Sequence, residues 1–89
     1  MILALLAATV LGGELTHDNM FNLACMHGED WIISTEGFYG IQTHLRRQVS
    51  NMNVEDPDMR ERLYYEGMDC AIAIGAERGM KPPPGWQVE

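Results

Sequence analysis

The reactive side chains of this sequence crowd into one short stretch, LTHDNMFNLACMH, which holds His17, Asp18, Cys25 and His27. Histidine nitrogen and cysteine thiolate are both zinc ligands, so a metal site is the first chemistry to weigh. The spacing opposes it. Cys25 and His27 are two positions apart and point to different faces of a helix, and His44 or a distant acid would have to complete the set. A cysteine nucleophile paired with a histidine is the second idea, and it needs an exposed, electropositive setting that lowers the thiol pKa. Cys25 is instead flanked by Leu23, Ala24 and Met26 in an acidic chain, which reads as a buried structural cysteine. The expectation is no catalytic residue, no metal and no cofactor. A small hydrolase or metal-binding protein built on His17, Asp18, Cys25 and His27 remains the weakest alternative.

The tetrapeptide THDN resembles the His-Asp step of the secreted phospholipases A2, where the histidine is the base and the aspartate binds calcium. The match covers those few residues alone. The glycine- and cysteine-rich calcium loop that should precede them is missing, as is the cysteine framework around them, and the family is set aside. The sequence also has no glycine-rich phosphate loop, no GxSxG, no HExxH and no EF-hand loop. No CxxC occurs, which removes thioredoxin-type redox chemistry and ribbon-type zinc sites.

Cys25 and Cys70 are the only cysteines. In an oxidising compartment they would pair and close a long loop; in a reducing cytoplasm each would be a small buried apolar residue. The opening MILALLAATVLGG bears on which holds. Its apolar run, residues 2–11, has the length of a secretory h-region, yet no Lys or Arg precedes it. It is too short for a transmembrane helix, which needs roughly 20 apolar residues. The first reading is therefore that residues 1–13 form a core helix of a cytoplasmic protein. The alternative is a signal segment on an exported domain.

Eighty-nine residues make one small domain, 1–89. The pattern reads as all-α, a compact bundle of three or four helices. Met20, Leu23, Ala24 and His27 predict a helix ending near Gly28, with DWIIS as the entry to the next helix or a brief extended piece. Phe38, Ile41, Leu45, Val49 and Met52 predict another, with Ser34 or Thr35 available as N-cap and a start that Gly37 and Gly40 push toward Gly40. The clearest element is a long C-terminal helix near 57–78, opened by Asp56-Pro57 and closed by Arg78, Gly79, Met80 and Pro82. Its apolar stripe is Met59, Leu63, Gly67, Cys70 and Ile74. Residues 81–89, KPPPGWQVE, form an extended proline-rich tail. That tail either presents a polyproline segment or stiffens the exit so that Trp86 folds back onto the core.

Thirteen acids against six bases give a formal charge of −7. That disfavours nucleic acid and anionic membranes, whose binding depends on Lys and Arg. The function expected is a small acidic, non-enzymatic interaction module, an inhibitor or accessory factor working through a protein–protein interface. Its partner would be another protein, basic in charge, or a second copy in a homodimer. The candidate interface residues are Arg46, Arg47, Gly67, Ala71, Gly75 and Trp86. Gly67, Ala71 and Gly75 recur at every fourth position, which lets a helix backbone come close, within the chain or across an interface.

Overall fold

The computed structural model describes residues 16–86. Within them are three helices and no strand: α1 (His17–Thr35), α2 (Ile41–Asn51) and α3 (Pro57–Glu77). The expected helix over residues 1–13 lies outside the described residues. So does the end of the tail beyond Trp86.

Two of the three described helices begin where a side chain supplies the missing acceptor. Thr16 caps α1 by accepting the Asn19 N–H at 3.1 Å, and Asp56 caps α3 by accepting the Asp58 N–H at 3.0 Å, with Pro57 in the first turn. Gly40 starts α2 with φ at 85°, a left-handed conformation that glycine adopts without strain. A Cβ there would also stand 3.1 Å from the Trp31 ring. Ser34 and Thr35 do not cap α2; both hydroxyls donate back to the Trp31 carbonyl within α1.

Helix α1 does not stop at Gly28. It runs on to Thr35, so that DWIIS forms its last turns. Packing explains the difference. Gly28 is fully enclosed, and a Cβ on it would fall on the Gly67 carbonyl of α3, so the glycine marks a helix crossing and not a helix end. The close approach offsets the roughly 1 kcal/mol that glycine costs a helix interior. The true end of α1 is Glu36, held at φ 63° with its N–H on the Ile32 carbonyl.

Helices α1 and α3 run in the same direction, with Phe21 beside Arg62, Cys25 beside Cys70 and Ile32 beside Arg78. Helix α2 runs back between them and packs on both. The core comprises Ala24 and Ile32 of α1, Ile41, Leu45 and Val49 of α2, and Met59, Leu63, Tyr64, Met68, Ala71 and Ile72 of α3. The buried face of α3 is thus wider than the expected stripe, because it meets two helices; Cys70 and Ile74 lie at its edge.

The C-terminal stop forms as its residues predict. Gly79, at φ 81°, donates to the Ala76 carbonyl at 3.0 Å, and Met80 donates to Gly75 at 2.9 Å, the paired bonds of a Schellman motif. Arg78 goes elsewhere: its guanidinium reaches across to the Ile32 carbonyl of α1 at 3.1 Å. The tail then turns back along α3. The expected extended tail is interrupted by a turn at Pro84 and Gly85, where Gly85 takes φ 84° and the Trp86 N–H bonds the Pro83 carbonyl at 3.1 Å. Trp86 then packs on Tyr65, their ring centroids 5.3 Å apart.

The crossing gives a direct expectation. Gly28→Ala should lower unfolding stability by about 1–3 kcal/mol, because the new methyl meets backbone that cannot rotate away. Gly37→Ala, which meets nothing within 4 Å, should change it by less than about 0.5 kcal/mol. Urea titration of both variants against the parent chain checks the pair.

Candidate functional site

The four reactive residues of the first stretch are not brought together. His17 and Asp18 sit exposed at the start of α1, Cys25 faces α3, and His27 faces α2. Cys25 is bonded to Cys70, with the two Cα atoms 5.2 Å apart, and the bridge closes a loop of 45 residues. Cys25 is therefore half-buried and oxidised, which leaves it neither a nucleophile nor a thiolate ligand. One turn further on, Glu29 brings its carboxylate to 3.7 Å from the Cys25 Sγ. Cys25, Glu29 and Cys70 make one compact group of ligand-type atoms, but both sulfurs are committed to each other.

Beside α2 the histidines form a different cluster. The His44 ring lies 4.7 Å from the Trp31 ring and 6.1 Å from the His27 ring, centroid to centroid. Burial pushes the His44 pKa below its ordinary 6.5, and the nearby His27 and Arg47 push it the same way, while the backbone carbonyl of His27 opposes them. The Trp31 Nε1–H is buried beside these rings without a hydrogen-bond partner among the described residues.

The candidate interface residues divide into two groups. Gly67, Ala71 and Gly75 are buried by their own chain. A Cβ on Gly67 would stand 2.9 Å from the Ala24 carbonyl, Ala71 faces Gly28, and Gly75 lies under the Phe38 ring. Arg46, Arg47 and Trp86 reach the surface. The Arg46 guanidinium sits 3.7 Å above the Tyr64 ring and bonds Glu61 at 2.8 Å. Tyr64 packs edge-on against Tyr65, and Trp86 packs on Tyr65 at 5.3 Å, so arginine, two tyrosines and a tryptophan form one continuous stack. Burial raises the Tyr64 pKa above its usual value, partly offset by Arg46. Arg46–Glu61 is half exposed on both sides and contributes no more than about 1 kcal/mol.

Sequence reasoning missed the distribution of charge. No Lys or Arg occurs before Arg46, so α1 carries Asp18, Glu29 and Asp30 with two histidines and no fixed positive charge of its own. The later cations are largely turned onto the fold. Arg46 is on Tyr64, Arg60 on the Val54 carbonyl at 2.7 Å, Arg62 on the Phe21 ring and Arg78 on the Ile32 carbonyl. All the described acids but Glu29 remain exposed, and Arg46–Glu61 is the one ion pair among the described residues. Large apolar side chains are exposed with them: Met26 and Ile33 on α1 at 55% each, Tyr39 at 97% and Tyr65 at 48%. The signal was in the sequence, as a chain whose first half is free of Lys and Arg.

Two open clefts flank the α2–α3 connection. One, of about 370 Å³, is lined by Ser50, Asn53, Val54, Glu55 and Arg60. The other, of about 290 Å³, includes Arg46, Asp58 and Glu61. No histidine or cysteine lines either cleft. No described helix is long and apolar enough to cross a membrane. Comparison with protein-family models found none that matches the chain, and comparisons with curated proteins and with solved structures found no match either.

Two measurements follow from this geometry. Replacing Cys25 and Cys70 together by Ser should cost about 4 kcal/mol, the chain-entropy value for a loop of this size, read as a shift in the urea midpoint. For His44 the sign comes from the lowered folded-state pKa. Above pH 6.5 the ring is neutral in both states. As pH falls below that value the unfolded chain takes up the proton first, so stability drops until the lowered folded value is passed. His44→Gln should flatten this part of the stability profile between about pH 7 and 5.

Proposed function

We propose that this protein is a small, non-enzymatic binding module of an oxidising compartment: an exported domain, stapled by Cys25–Cys70, that acts on another protein as an inhibitor or accessory factor. The observation that carries the reading is the bridge itself. It ties α1 to α3 beside the helix crossing, and disulfides of this structural kind persist where the surroundings are oxidising. This favours the exported alternative over the cytoplasmic one. The apolar run of residues 2–11 has the length of a secretory h-region and supports the same choice.

Binding is supported by what the surface carries. A domain this small has few apolar residues to spare, yet Met26, Ile33, Tyr39 and Tyr65 stand out in water. The Arg46–Tyr64–Tyr65–Trp86 stack adds residue types that recur as anchors of protein interfaces. The reactive groups singled out in the sequence meanwhile stay apart: the cysteines bond each other, His17 and Asp18 lie exposed at the start of α1, and His27 faces α2.

The test is made on protein recovered from its native host and alkylated before and after reduction. The expected result is protein outside the cytoplasm whose thiols react only after reductant is added. Recovery from the cytosol with both thiols free would end this reading.

A further inference from the structure

We propose that the outer face of α1, ridged by Met26 and Ile33, is the docking surface for a basic amphipathic helix of the partner protein; this rests on the binding-module reading above. Helix α1 buries Ala24, Gly28 and Ile32 on its inner side. On the opposite side it carries Met26 and Ile33, more than half exposed, with Leu23 half-buried beside them. Asn19, Asn22 and Asp30 stand exposed on the same side, so Met26 and Ile33 are two apolar anchors set among polar residues. Among the described residues, only the inner side is covered.

The two exposed side chains are seven positions apart. They therefore share one line along the helix and stand about 10 Å apart, the repeat that a second helix offers with its own side chains. A helix laid in this way reads as an anchor every three or four residues.

Charge selects the occupant. Asn22 and Asp30 border the ridge, while the Glu29 carboxylate is turned to the bridge. Helix α1 has no Lys or Arg, and its two histidines are His17 at its start and His27, which faces α2. The two arginines that reach α1 from α3 touch the Phe21 ring and the Ile32 carbonyl, on its α3-facing side. A second copy of this chain would set acid against acid, with −7 on each molecule. A helix with Lys or Arg flanking an apolar stripe would instead place a cation against Asp30 while its apolar residues cover Met26 and Ile33. With only a few large apolar anchors, the contact belongs among the small, salt-sensitive interfaces.

The experiment uses the full, oxidised chain labelled with nitrogen-15. The probe is a synthetic amphipathic helix of Leu and Lys, and a Leu and Glu helix of the same pattern is the control. The Lys helix should shift the amides around Met26, Asp30 and Ile33 and weaken as salt is raised; the Glu helix should not bind. Asp30→Lys and Ile33→Ser, both at exposed positions, should each weaken binding by about tenfold. Glu55→Lys, which changes net charge as much as Asp30→Lys does, should weaken it by less than about twofold. Equal losses for Asp30→Lys and Glu55→Lys would reduce the effect to net charge and overturn the proposal. So would shifts centred on Tyr65 and Trp86, or contacts from residues 1–15 already covering Met26 and Ile33. Free thiols in the native protein would remove the export reading and leave this titration as it stands, so the two failures are distinguishable.

Discussion

The fold depends on one close approach of backbone to backbone, where Gly28 of α1 meets the Gly67 carbonyl of α3. Neither helix can carry a side chain at that point, and the space they give up lets two parallel helices lie near enough for Ala24 and Ala71 to be wholly buried. The bridge from Cys25 to Cys70 sits one turn from the same point and fixes the helices in that register. Leu45 of α2 then fills the space beside Gly67, so the third helix is located by the contact between the other two. Van der Waals packing at this density leaves little tolerance, which is why small residues occur here on both helices.

With the α1–α3 pair set, the charges follow a consistent logic. Arginines near the seams bind carbonyls and ring faces of neighbouring elements: Arg60 holds the α2–α3 connection, Arg78 ties the end of α3 to α1, and Arg62 covers Phe21. These contacts need a donor that can satisfy several acceptors at once, or a flat cation that can lie on a ring. Apart from Asp56 at the α3 cap, Glu61 on Arg46 and Glu29 beside the bridge, the described carboxylates stay in water. The acidic character of the surface is therefore sharper than the composition alone indicates, because the bases are engaged in holding the helices together.

Much of the architecture was legible in the sequence, and the exceptions share a cause. The limits of α3 could be read because Asp56-Pro57 and Gly79-Met80 act locally, through caps that need no tertiary partner. The stripe of Ile41, Leu45 and Val49 was equally plain, since one face of α2 is buried and the other is not. Gly28 misled, because a glycine that ends a helix and a glycine that admits another helix look the same until the neighbour is known. The contact of Arg78 was hidden for a related reason: its partner is a carbonyl 46 residues away. At the candidate surface, Arg46 and Trp86 could be singled out by type, but the stack joining them through Tyr64 and Tyr65 arises only when the tail returns along α3.

Both connections between helices, Glu36–Gly40 and Met52–Asp56, fall inside the covalent ring that runs from Cys25 to Cys70. A protease that cuts either one therefore opens the ring without dividing the molecule. The two pieces stay joined through sulfur, and the helix packing is left with all its contacts. Exposed turns such as the one bearing Tyr39 are the places where such cuts concentrate. The position of the bridge thus gives the domain a tolerance to nicking that packing alone would not supply.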